Sequence, residues 1–138
     1  MINYQYLLAG LIITFCACGD AQNINGSQYE IITDERKFAK KIQNAVRCES
    51  TDSISKLADF PLLVNGEKIS SPEVLQKTDK RLIFTDSFKK AVLKTDLNRI
   101  YCNSDGYMLG NGEIWFCEII DPDSDSSKGL RIIALNIK

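Results

Sequence analysis

Histidine is absent from this 138-residue chain, and its absence removes a large share of enzyme chemistry. Without imidazole there is no Ser-His or Cys-His nucleophile pair, and no side chain that ordinarily titrates near neutral pH. Zinc sites built from Cys and His are excluded with it, as is His-ligated iron or copper. No apolar run reaches the roughly twenty residues that a membrane-spanning helix needs. The five cysteines contain no CxxC pair, so a redox or metal motif has no support. Neither sign of charge dominates: 17 Lys and Arg stand against 18 Asp and Glu. They are mixed along the chain, which argues against a nucleic-acid partner. Any catalysis would rest on carboxylates, tyrosines, lysines or thiols. No motif calls for a cofactor or a metal.

What is present describes one globular domain behind an export address. An apolar fraction of 44% and a charged fraction of 25% suit a folded domain, not a disordered one. Residues 1–19, MINYQYLLAGLIITFCACG, carry no charged side chain, and Leu7 to Cys18 is almost continuously apolar. That length fits the apolar region of a secretory signal, although no basic residue precedes it. Its end, Phe15-Cys16-Ala17-Cys18-Gly19, resembles a bacterial lipobox, with small Ala17 before an acceptor Cys18. Phe15 stands where Leu is usual, and Cys16 is the poorer acceptor because Phe15 precedes it. Ordinary cleavage after Ala21 is the competing reading. Both readings export the domain. Residues 1–18 are therefore read as a lipoprotein-like signal, residues 19–30 as a polar tether and residues 31–138 as the folded domain. The membrane is reached through a lipid on Cys18.

Apolar residues from Ile31 to Val46 recur at helical spacing, with acidic residues leading and basic ones following, as the helix dipole prefers. A short helix is expected next, capped by Asp52 and ended by Pro61. Leu62-Leu63-Val64 reads as a strand that turns at Asn65-Gly66 into Glu67-Lys68-Ile69. Ser71-Pro72 opens a helix running through Val74 and Leu75 towards Leu82, and Thr85 or Asp86 opens another. Asn111-Gly112 predicts a type I′ turn that pairs Leu109 with Ile114, Met108 with Trp115, and Tyr107 with Phe116. Both faces of this hairpin are then apolar. One face carries Met108, Trp115, Cys117 and Ile119; the other carries Tyr107, Leu109, Ile114 and Phe116. One should lie under the helices, and the other should meet a pocket, a partner or a second sheet. Leu130 to Ile137 reads as the last strand.

The order of these elements, with Phe60-Pro61-Leu62, Val64 and Gly66 and then Gly106 to Phe116, GYMLGNGEIWF, resembles the nuclear transport factor 2-like superfamily. It is similar in particular to small secreted bacterial members, over roughly residues 34–137. The resemblance implies an α+β fold: N-terminal helices on a strongly curved, mostly antiparallel sheet, cone-like as in cystatins, often dimerising through the sheet. It carries over no catalytic residue.

Tyr101, Tyr107 and Trp115 are the candidate pocket-facing side chains. Asp105 and Glu113 flank the hairpin and are expected in water. The loop Asp121-Pro122-Asp123-Ser124-Asp125 starts like a calcium loop but has Ser126 and Ile132 where Gly and a bidentate Glu are needed. Of Cys48, Cys102 and Cys117, any disulfide is expected to join Cys48 to Cys102 or Cys117. A Cys102–Cys117 bond is disfavoured because Cys117 falls opposite Gly106. Trp115 and Met108 are expected as a cross-strand pair, in the core or at a dimer contact. The expected function is a non-catalytic, membrane-anchored envelope domain that binds a small apolar ligand or a protein partner. Alternatives are a carboxylate and tyrosine enzyme acting on a small apolar substrate, and an inhibitor or immunity-type protein.

Overall fold

The computed structural model describes residues 34–138. The signal, lipid-attachment and tether expectations fall on residues 1–33 and lie outside the described residues. The fold is α+β. Helices α1 (Asp34–Arg47) and α2 (Thr51–Leu57) precede strands β1 (Ala58–Val64) and β2 (Glu67–Ile69). Helices α3 (Pro72–Lys77), α4 (Lys80–Ile83) and α5 (Asp86–Leu93) follow. Strands β3 (Tyr101–Asn103), β4 (Gly106–Leu109), β5 (Ile114–Asp121) and β6 (Ser126–Leu135) end the chain.

The six strands form one open sheet in the order β2-β1-β6-β5-β4-β3. Every pairing is antiparallel except β1 with β6, so the sheet is mixed. The parallel pair joins the first strand to the last, and the crossover between them contains all the intervening helices and strands.

Helix α1 buries Phe38, Ala39, Ile42, Gln43, Ala45 and Val46, the i, i+3, i+4 stripe of an amphipathic helix. It stops where Glu49 takes a left-handed conformation, φ 49°, while the Ser50 amide donates to the Ala45 carbonyl at 3.0 Å. That bond is the helix-ending pattern usually served by glycine. Ser50, rather than Asp52, then caps α2, accepting from the Ser53 amide at 3.1 Å. Pro61 does not end α2. The helix stops at Leu57, and Pro61 sits inside β1 after a cis peptide bond. Its missing N–H is tolerated because the β1–β6 register is irregular between Ala58 and Leu63.

The helix expected from Ser71 towards Leu82 is two. Thr78 ends α3, and the Asp79 carboxylate starts α4 by accepting from the Arg81 amide at 2.9 Å. Thr85 caps α5. The last strand begins at Ser126 and ends at Leu135, so the acidic loop is shorter than expected. An extra residue, Ile133, sits between Ala134, which pairs with Trp115, and Ile132, which pairs with Phe116. This bulge breaks the simple alternation and lets Ile132 and Leu135 both be buried.

Leu109, Ile114, Phe116, Ile132 and Leu135 share one core with Phe38, Ile42, Ile54, Leu75, Ile83, Phe88 and Val92 from the helices. The ring centroids of Phe38 and Phe116 lie 5.3 Å apart. Among the described residues, the helices therefore cover one face of the sheet.

Candidate functional site

The expected register of the β4–β5 hairpin is found: Tyr107 with Phe116, Met108 with Trp115, and Leu109 with Ile114. The turn itself differs. Asn65-Gly66 has positive φ at both residues, 51° and 81°, as a type I′ turn requires. In the second turn it is Gly110 and Gly112 that have positive φ, 73° and 107°. The Glu113 carboxylate folds back to accept from the Asn111 amide. Glu113 is thus only 6% exposed, not in water as expected.

Neighbours hold the turn from both sides. Thr95 Oγ1 accepts from the Gly110 amide at 2.7 Å, and Asn136 Nδ2 donates to the Gly112 carbonyl at 2.7 Å. Gln43 Nε2 donates to the Val92 and Thr95 carbonyls, both at 3.1 Å. This connected set ties α1, the end of α5 and the turn together. Its one buried carboxylate serves a backbone amide and is part of the scaffold.

Tyr101, Tyr107 and Trp115 do not converge. Tyr107 lies on the helix-covered face, stacked on Phe116 at 5.2 Å, with its hydroxyl 3.4 Å from Glu35 Oε1. Trp115 and Tyr101 lie on the opposite face and meet edge-on at 6.4 Å. Following the register, Lys68 pairs with Leu63, Leu63 with Ala134, Ala134 with Trp115, Trp115 with Met108 and Met108 with Tyr101. These six residues form one row across all six strands, roughly 24 Å long at about 4.8 Å per strand. Leu63 is 39% and Tyr101 54% exposed, and Ala134, Trp115 and Met108 are half-buried. Trp115 is therefore outside the core. The sequence identifies this apolar face of the hairpin, but the row needs β1 and β6 to be adjacent.

On the helix-covered face, a groove of about 480 Å³ opens between the start of α1 and the far end of β5 and β6. Phe38, Leu57 and Leu130 supply its apolar surface; Lys37, Lys41, Lys128, Arg131, Asp34, Glu35 and Glu118 supply its charges. None of the three aromatic residues expected at a pocket lines it. Sequence reasoning missed this groove, because its residues come from four elements with no shared motif.

Cys48 is an exposed thiol just after α1. The expected use of Cys48 is corrected: it lies in the helix layer, whereas Cys102 is on the edge strand β3. The chain turns back between β3 and β4, which pairs Cys102 with Tyr107 and Tyr107 with Phe116. Cys102 and Cys117 are then two strands and one residue apart, more than about 9.6 Å, beyond the roughly 6.8 Å Cα limit of a disulfide.

Asp121 accepts from the Asp123 amide at 3.0 Å, an ordinary turn contact. Among the described residues, no group of three or more Cys, Asp or Glu could hold a metal ion. No helix among them is long and apolar enough to cross a membrane. Compared with known proteins, the chain matches no family model, no curated protein and no solved structure.

Proposed function

We propose that this chain is a non-catalytic interaction domain, exported and anchored by a lipid on Cys18. The uncovered face of its sheet would dock a protein partner. The observation that carries the reading is the row Leu63, Ala134, Trp115, Met108 and Tyr101, an apolar band on the face that the described helices leave open. Such a band, with aromatic and methionine side chains at its centre, has the composition of an interface core. The partner is a second copy of the chain or another protein; an inhibitor or immunity-type role is the form in which that other protein is being blocked.

Membership of the nuclear transport factor 2-like superfamily, with a cone-like sheet, belongs to the same proposal. It is supported by the motifs at residues 60–66 and 106–116 and by helices lying on one face. The enzyme alternative draws less support, because Tyr101 and Tyr107 point to opposite faces and Glu113 is engaged in a turn.

Photo-crosslinking tests the docking face. A crosslinking side chain placed at Leu63 or Tyr101 of the full chain, in the membranes of its own cells, should give a discrete protein adduct. The same side chain at Lys40, on the exposed side of α1, should not. An adduct of twice the chain mass identifies a second copy. Equal labelling at all three positions, or none at Leu63 and Tyr101, overturns the docking surface.

A further inference from the structure

The groove beside α1 has an unbalanced set of charges. Asp34 pairs with Lys37 at 3.6 Å. Glu35 accepts from the Tyr107 hydroxyl, and Glu118 accepts from the Ser127 hydroxyl at 2.6 Å. Arg131 is fixed by donating from Nη1 to the Lys56 carbonyl at 3.0 Å, which leaves most of its fork of donors unused. Neither Lys41, Lys128 nor Arg131 takes part in an ion pair among the described residues. Four cations, Lys37, Lys41, Lys128 and Arg131, thus face three carboxylates, Asp34, Glu35 and Glu118, an excess of one positive charge over a surface made by Phe38, Leu57 and Leu130.

Two physical consequences follow. The excess positive charge favours an anion, and a fixed arginine fork suits a carboxylate in particular. The apolar patch beside them rewards a hydrocarbon stem, at about 0.8 kcal/mol for each buried methylene. A groove of about 480 Å³ lies within the roughly 300–1,000 Å³ range of small-molecule sites.

We propose that this groove binds a carboxylate-headed amphiphile, its head among Lys41, Lys128 and Arg131 and its stem against Phe38, Leu57 and Leu130. The apolar floor of the site, Phe38, Leu57 and Leu130, is on the opposite side of the sheet from the docking row. The site stands or falls separately from that row.

Calorimetric titration of the full chain with octanoate, octan-1-ol and acetate, each against a protein-free blank, tests the proposal. Octanoate should bind more tightly than either of the others, because only it offers both head and stem. Lys41→Glu and Lys128→Glu, on different elements and both exposed, should each weaken octanoate roughly tenfold and leave octan-1-ol unchanged. Raising salt should weaken octanoate alone. Leu63→Asp, on the other face, should leave octanoate affinity as in the parent. The proposal is overturned if octanoate binds no better than octan-1-ol, or if both lysine variants bind octanoate like the parent.

Discussion

Gly110 and Glu113 show how closely single residues are fixed in the β4–β5 turn. A Cβ at Gly110 would press into the Glu113 carboxylate and lie 3.3 Å from Ala91 Cβ, at a φ of 73° that side chains resist. Gly110→Ala should therefore destabilise the domain by about 2 kcal/mol, combining the left-handed conformation with displacement of Glu113. Glu113→Ala leaves the Asn111 amide without its acceptor and should cost about 1–3 kcal/mol, whereas Glu113→Gln keeps an acceptor and should cost less. Urea unfolding of the three variants checks the order. Glu113→Ala as stable as the parent would show that the turn does not depend on the carboxylate. Burial of Glu113 was not legible beforehand, because a Glu beside Asn-Gly ordinarily projects from a two-residue turn into water. Gly110 changes that geometry.

Between elements, the turn after α1 is tied to α5 by one ion pair. Lys89 Nζ lies 3.0 Å from Glu49 Oε1 and 3.6 Å from Asp86 Oδ1. The Glu49 hydrogen bond, with the charges of Glu49 and Asp86, raises the Lys89 pKa above its ordinary 10.5. A raised lysine pKa gives stability that is complete below the unfolded value and is lost as pH rises through the folded one. Glu49→Gln should thus be less stable than the parent at neutral pH, and the gap should close above the ordinary lysine range. A gap unchanged by alkaline pH would mean that the ion pair is not its source. Glu49→Gly separates the other contribution, since it removes the charge but relaxes a backbone held at φ 49°. It should unfold at a higher denaturant concentration than Glu49→Ala, which keeps a Cβ in that conformation.

For the whole molecule, the question is which aromatic residues hold the fold and which face outward. Phe116 is fully buried against Phe38, whereas Trp115, next in sequence, lies half-buried on the open face. Phe116→Ala should cost about 3–5 kcal/mol, enough to unfold a domain of ordinary stability. Trp115→Ala should cost clearly less. If the open face self-associates, Trp115→Ala should also shift the population from dimer to monomer under conditions where it stays folded. Thermal melting with sedimentation analysis reads both effects. Equal losses of stability for the two variants would place Trp115 in the core after all.

By itself the sequence determined the core stripe of α1, the Asn65-Gly66 turn, the pairing of β4 with β5 and the two-sided apolar character of that hairpin. Each depends on residues close in the chain, where periodicity and turn chemistry act directly. Only the tertiary structure decided which face of the hairpin the helices cover, that Leu63 and Ala134 extend the Trp115 row, and that α1 meets β5 and β6 around a charged groove. Those relations follow from the parallel pairing of β1 with β6, strands separated by more than sixty residues. No local pattern encodes that contact, because both strands can pair at either edge until the shared core selects one arrangement.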